Sequence, residues 1–596
     1  MTIRRLLYFN SFLLLAIMAC TPALADNWDT DYEKSDGMKT PRYDATIAFC
    51  RKMADASPLI HYSSFGISPQ GRELPLLIAD AHGNFDPESV RRSGNMVILI
   101  NACIHPGEPE GKDAGLLLLR NIAFRNIDQN LLDKVTILFI PIFNVDGHER
   151  FSPYNRINQN GPEEMGWRTT MQNLNLNRDF MKADAPEMQA WLKLFNAWLP
   201  DFFIDTHTTD GADYEYVVTY ALEDRGNIDP AIGEWLATGF TPEFEQKMEK
   251  AGFPVFPYVS FKQWHNPRSG LISRPAPPML SQGYVAVHNR PGMLIETHML
   301  KPYKPRVEST LEVMRIALSI INREAGNLKL MYAQADESTT NAATRGQKIA
   351  VKFDVSKSDS LMVDFRGIGY HSIKSDLTGG EWFIYGNKPE KFVLPFFNKP
   401  VVTTWVDLPQ AYIIPAEFAE VIKRVKLHGI EVNTLLKELT IEVSTYHFTD
   451  ISFRPSSNEG RQMPSFKTEP IKRTMVFPAG SAVVFTHQRS ARVIAHLLEP
   501  DAQDSFMSWG FFNIFFEQKE YSETYVMEKM ARNMMRVDTS LRSRFEDFMT
   551  QNPNLKDNQW EQLNWFYRQT PFYDERHNVY PIGRLTVIPA ELQQAL

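Results

Sequence analysis

Ala102-Cys103-Ile104-His105-Pro106-Gly107-Glu108-Pro109-Glu110-Gly111 is the stretch whose reading decides the fold. The apolar run Met96-Val97-Ile98-Leu99-Ile100 leads into it, and the amphipathic run Ala114 to Phe124 follows. That pattern predicts strand, turn, helix, with His105 and Glu108 at the turn. A His and a Glu three apart on one helical turn point to the same side and can share one small object. Imidazole nitrogen and carboxylate oxygen are both ordinary zinc ligands, so a zinc ion is the natural candidate. Pro106 suits a first helical position, and Gly107 leaves room for close approach to the pair. The competing reading of the pair alone is a solvated helix start with an incidental histidine.

Outward from this stretch the chain alternates strand and helix patterns. Ile60 to Ile67 and Leu74 to Ala81 read as strands around a turn at Gly71-Arg72. Val135 to Ile140, Phe202 to Asp205, Tyr216 to Tyr220 and Met293 to Glu296 also read as strands. Tyr43 to Ala56, Leu116 to Phe124, Glu187 to Trp198 and Glu308 to Ile321 read as helices. The alternation predicts an α/β domain, its parallel or mixed sheet covered on both faces. Ala335 to Gln347 is small, polar and without period, and reads as a linker. Short alternating runs beyond it, such as Val401 to Val406 and Ile441 to Tyr446, predict a β-rich region. The last part reads as mostly helical, and its aromatics, including Trp509 and Phe512, read as core or interface. The expected division is 1–25, 26–325, 346–475 and 476–596.

The chain has 596 residues, more than one compact core accommodates, with 43% hydrophobic and 22% charged residues. A net charge of −8 without a long basic block argues against nucleic acid as a partner. Arg4 and Arg5, the apolar run Leu6 to Ala19 and the small-residue site Ala23-Leu24-Ala25 before Asp26 read as a cleaved export signal. The run is shorter than the roughly 20 residues that span a bilayer. The expectation is therefore a periplasmic or secreted protein without a transmembrane anchor. Cys20 faintly resembles a lipoprotein site, poorly matched at Met18. Cleavage after Ala25 leaves Cys50 and Cys103, whose pairing is open in the sequence. Cys103 reads as a small core residue of the apolar strand.

Five pieces follow one another in chain order: His105-x-x-Glu108; Pro141-Ile142-Phe143-Asn144-Val145-Asp146-Gly147, a turn at the end of a strand; Trp167-Arg168 with Asn175-Leu176-Asn177-Arg178-Asp179; Asp205-Thr206-His207-Thr208; and Leu294-Ile295-Glu296-Thr297. Side chains at strand ends converge on one edge of an α/β sheet, where sites in such folds lie. Over roughly 26–323 this set resembles the zinc metallocarboxypeptidases of the carboxypeptidase A type. The resemblance implies a mixed-sheet catalytic domain with helices on both faces, followed by accessory regions. It implies one zinc ion held by His105, Glu108 and His207, and Glu296 as general base. It implies Asn177 and Arg178 as the grip on a substrate's terminal carboxylate and Arg168 as the oxyanion-stabilising cation. The implied partners are peptides with a free C-terminus. The chemistry suits these types: three protein ligands leave a fourth position open, and an arginine fork matches a carboxylate.

The chain departs from the family at Asn175, where an Asp that orients a zinc-bound histidine is common. Asp205, two residues before His207 on one strand face, reads as a neighbour that could orient the ligand instead. The family's substrate-closing tyrosine falls nearest to Tyr284, with Tyr258 as another candidate. His265, Arg268, Arg274 and His288 in the same region either favour acidic groups or are surface positions. Three other functions stay open: a zinc deacylase of N-acyl amino acids of the aspartoacylase type, a cell-wall peptide hydrolase, and a non-catalytic binding module.

Overall fold

The computed structural model describes residues 28–342 and 346–596. The export signal, its cleavage site and Cys20 lie outside the described residues. Strands β1 (Ile60–Ile67) and β2 (Glu73–Ala79) form the hairpin read around Gly71, which turns at φ 82°. They are followed by β3 (Met96–Asn101), β4 (Val135–Ile140), β5 (Phe202–Thr209) and β6 (Val218–Leu222). Two short strands, β7 (Ser260–Gln263) and β8 (Asn266–Ile272), precede β9 (Gly292–His298). Seven of these make one mixed sheet in the order β1-β2-β4-β3-β5-β9-β6. β4, β3, β5 and β9 run parallel, and the outer neighbours β2 and β6 are antiparallel. Every residue of β3, β4 and β5 is buried, which is why Met96 to Ile100, most of β4 and the first three residues of β5 are apolar rather than alternating, while β5 turns polar from Asp205 onward.

Helices cover both faces. Tyr43–Ala56, Glu110–Phe124 and Tyr303–Thr340 pack on one, Pro186–Trp198 and Ser281–Val287 on the other. The Glu110–Phe124 helix lies against the sheet because it carries glycine where it touches. A Cβ at Gly111 would sit 1.9 Å from Thr206 Oγ1, and one at Gly115 would sit 2.2 Å from the Phe139 ring. This helix begins at Glu110, so Pro106 is not its first residue. His105 to Glu108 instead form a tight turn, closed by Glu108 N–H donating to His105 C=O at 2.9 Å. Cys103 follows β3 rather than lying in it, with φ 56°; it and Cys50 are buried free thiols. The Tyr303–Thr340 helix runs into the stretch that reads as a linker. Ala335 and Thr339 are buried, and Asp336 pairs with Arg290 at 2.8 Å, so small polar residues here face the core. Among the described residues no helix is long and apolar enough to cross a membrane.

The rest of the chain is β-rich and then helical. β10 (Lys348–Val355) pairs with β13 (Pro400–Asp407). The long hairpin β11 (Leu361–Lys374) and β12 (Glu381–Phe397) joins β8 in parallel. A six-stranded sheet contains β14 (Ala411–Ile414), β15 (Asn433–Thr434), β16 (Leu439–Phe453), β17 (Pro464–Phe477), β18 (Ala482–Phe485) and β19 (Gly583–Leu585). Its order is β15-β18-β14-β19-β16-β17. Tyr412, Val484, Ile494 and Phe512 from this half share one core with Leu99 and Phe203 of the first sheet and Trp191 of the helix covering it. Trp509 and Phe512 are buried, so those aromatics are core.

Candidate metal centre and active site

β3 and β5 are paired with Asn101 opposite Asp205, and β5 and β9 with His207 opposite Glu296. The turn after β3 therefore delivers His105 and Glu108 beside His207, with Glu296 in register next to it. His105 Nδ1 and His207 Nδ1 lie 3.2 and 3.1 Å from Glu108 Oε2, and 3.2 Å from each other. Among the described residues these three are the one set that could hold a metal ion. Each imidazole is oriented from its far side. Asn175 Oδ1 accepts from His105 Nε2–H at 3.0 Å, and Asp205 Oδ2 accepts from His207 Nε2–H at 2.9 Å. The Asn175 amide cannot be turned round, since the same oxygen accepts Asn177 N–H at 3.0 Å. Asn175 is thus a neutral acceptor behind one ring, and the Asp205 carboxylate is the acceptor behind the other.

With both Nε2 atoms donating, two Nδ1 lone pairs and a carboxylate oxygen face one point. A tetrahedral ion with bonds of about 2.0–2.1 Å separates its ligand atoms by about 3.3 Å. The observed triangle matches that spacing, and the donor set is one zinc accepts. Burial pulls the His105 imidazole down to about 4. Burial opposes charge on His207 too, but the Asp205 carboxylate outweighs it and raises that ring well above its ordinary value. Burial likewise works against the Glu108 carboxylate, yet His105 and Arg156 hold it well below the usual range. The centre attracts positive charge.

The cleft beside this centre, about 530 Å³, is of a size that takes a small ligand. Glu296, Arg168, Asn177 and Arg178 all line it. Burial raises the Glu296 carboxyl to about 8, with His207 opposing. Arg168 Nη1 is 3.4 Å from Glu108 Oε1 and from His105 Nδ1. Arg178 donates to Asn177 C=O at 2.7 Å, and no carboxylate among the described residues pairs with it. Burial and the neighbouring Arg168 make it less willing to hold its charge. It is a partly buried cation waiting for an anion.

Tyr284 is not in this cleft. It is fully buried among Phe180, Trp191 and Phe195, and its hydroxyl is 2.9 Å from His428 Nδ1. The Ser281–Val287 helix turns it into the core on the far face of the sheet. Tyr258, the second candidate, does line the cleft. His265, Arg268, Arg274 and His288 do not line it: Arg268 pairs with Glu390, Arg274 with Asp354, and His288 is buried. The Pro141 to Gly147 piece acts at a distance: Gly147 C=O accepts Trp167 N–H at 2.8 Å and so places the segment bearing Arg168. The sequence reading missed Arg156, whose Nη2 lies 2.9 Å from Glu108 Oε1. Its stem fills the space left at Gly107, where a Cβ would be 2.9 Å from Arg156 Cδ. It also missed the Thr208 N–H, which donates to Glu108 Oε2 at 3.0 Å.

Residues 46–220 match the family model for zinc carboxypeptidases. That stretch of the chain is similar to the zinc carboxypeptidases. The matched segment holds His105, Glu108, Arg168, Asn177, Arg178 and His207; Glu296 lies beyond it. Carboxypeptidase 2 of Trichophyton rubrum is 24% identical over 490 residues, covering 80% of this chain and 85% of the relative. Carboxypeptidase 2 of Trichophyton equinum is 25% identical over 494 residues, with the same coverage. Both alignments are longer than the carboxypeptidase domain and so reach into the C-terminal half. A metallo-carboxypeptidase from Burkholderia cenocepacia aligns in structure with a TM-score of 0.35 at 18% identity, covering 48% of this chain and 70% of that one. The protein is a hydrolase of the metallocarboxypeptidase class.

Proposed function

We propose that this is an exported zinc carboxypeptidase that removes the C-terminal residue of peptides. The observation that carries the reading is the pairing of a cation-seeking triangle, His105–Glu108–His207, with an unpaired guanidinium, Arg178, in one cleft. His105 and His207 through Nδ1 and Glu108 through its carboxylate would hold one zinc ion. When bound there, zinc supplies Lewis acidity toward the scissile carbonyl and makes a water acidic enough to deprotonate near neutral pH.

The chain's own groups supply the rest. Arg178 takes the terminal carboxylate in its fork, and Asn177 contributes a directional donor beside it. This grip selects the last peptide bond, because only a chain end has a carboxylate to offer. Glu296 receives the proton released as water attacks and passes it to the departing amine. Arg168 faces the developing negative charge on the carbonyl oxygen. Residues 26–325 would form the catalytic domain. The export signal at residues 1–25 supports a periplasmic or secreted location.

A matched pair of peptides, one ending in a carboxylate and one in a carboxamide, tests the reading. Purified protein should release the last residue of the first and stop when a chelator is added. Zinc should restore the rate. Cleavage of N-acyl amino acids with no release from peptides would overturn the reading in favour of a deacylase.

A further inference from the structure

We propose that the tip of the β16–β17 hairpin supports the metal centre, with Glu459 as a positioning residue that fixes Asn175 and, through it, His105. The inference rests on the reading of His105, Glu108 and His207 as the metal site. Glu459 is far along the chain from that site, yet its Oε2 accepts the main-chain N–H of Asn175 at 3.1 Å. Asn175 is then held at three points. Its N–H goes to Glu459, and its side-chain oxygen takes both Asn177 N–H and His105 Nε2–H. Asn177 lines the cleft and leads into Arg178, so one contact steadies an oriented ligand and the start of the carboxylate grip.

The turn that presents Glu459 makes the same point from its backbone. Asn458 and Arg461 exchange N–H···O bonds of 2.9 Å in both directions, closing a two-residue loop. Glu459 has φ 50° and Gly460 φ 74°. Positive φ at both central residues is the pattern of a type I′ turn, where Asn-Gly is favoured. A glutamate in the left-handed region is disfavoured by about 1–2 kcal/mol. Local preference therefore does not explain Glu459, and its contact with Asn175 does.

The tip is also clamped in place. Arg461 Nε and Nη2 bond Asp184 at 2.9 and 2.5 Å, and its guanidinium lies 3.8 Å from the Phe511 ring centre. Arg424 bonds Asp184 at 3.2 Å and Lys182 C=O at 2.9 Å. The segment from Asn175 to Asp184, which carries Asn177 and Arg178, is thus gripped at both ends by the C-terminal half.

Three variants of the full-length protein separate this role from folding. Glu459→Gln keeps an acceptor of the same reach. Glu459→Ala removes it. Glu459→Asn suits the turn but is too short to reach Asn175. The readout is zinc affinity by chelator competition, with kcat and KM on a free-acid peptide and the melting temperature of the metal-free protein beside it. Changes to groups orienting a ligand cost about 10- to 100-fold in metal affinity, and Glu459 acts one bond further out, so about three- to tenfold is expected for Ala and Asn. Glu459→Gln should restore wild-type affinity, and metal-free Glu459→Asn should melt no lower than wild type. Wild-type zinc affinity in Glu459→Asn, or a Gln variant as weak as Ala, would overturn the inference. If the wild type binds zinc with this order of affinities but cuts no peptide, the carboxypeptidase reading fails and the support role stands.

Discussion

Replacing Arg178 with Gln removes a cation that lines the cleft rather than closing an ion pair within the fold. Its guanidinium makes one bond to the Asn177 carbonyl and has no carboxylate partner among the described residues. Burial and Arg168 both weigh against its charge, so the folded protein carries it at a cost. A substrate carboxylate would replace that deficit with two charge-assisted hydrogen bonds, each contributing about 1.5–3 kcal/mol. Glutamine keeps one neutral donor, so the net loss of binding is about 2–4 kcal/mol. That corresponds to about a 30- to 1,000-fold fall in kcat/KM. The assay compares peptides ending in a carboxylate and in a carboxamide. The preference for the free acid should collapse by that factor, while the slow rate on the amide stays near wild type. The melting temperature should hold steady or rise, since an unmatched charge leaves the interior. An unchanged acid-to-amide ratio, or a large loss of stability with no change in ratio, would refute the reasoning.

Glu296→Gln should keep bound zinc, measured by metal analysis, and lower kcat by at least about 10²- to 10⁴-fold, the usual contribution of a positioned base; a near-normal rate would remove Glu296 from the proton path. Gly111→Ala puts a methyl 1.9 Å from Thr206 Oγ1, one residue from His207. Overpacking of about 1–3 kcal/mol should lower the melting temperature and weaken zinc retention together; wild-type melting would show the helix free to move. Burial pushes the Glu223 carboxyl up to about 8, above its value in the unfolded chain. The fold then holds a proton the unfolded chain gives up, so this group's stabilisation is complete below about 4.5 and is lost as pH rises through 8. Melting temperatures should decline between pH 6 and 8.5, and Glu223→Gln should flatten that decline; equal slopes would count against it.

What could be read from the chain was read where residue type and pattern agreed. His105 and Glu108 were legible because two ligand types meet at the end of a wholly apolar strand. The strands themselves were under-read at their polar ends. Thr206 to Thr209 and Thr297-His298 continue the backbone ladder without apolar side chains, and the candidate ligand His207 sits in the first of these stretches. Tyr284 was misplaced because nearness in sequence to Glu296 does not say which face of a helix a ring takes. Its helix turns that ring into the core, while Tyr258 lines the cleft. Arg156 was illegible in principle: a missing side chain at Gly107 announces a space but not what fills it. The helix to Thr340 was cut short because Ala335 and Thr339, though buried, are small enough to pass for linker residues.

β19 is three residues long and follows β17 only after more than a hundred residues, yet it sits between β14 and β16. The strand that anchors the β16–β17 ribbon to its sheet is therefore synthesised well after the ribbon itself. Domains generally fold as they emerge, N-terminal portions first. The first sheet can assemble early, but the ribbon bearing Glu459 gains its seat only once Gly583–Leu585 has emerged. A product cut before that strand would bring His105, Glu108 and His207 together while leaving the ribbon tip behind Asn175 without its anchor.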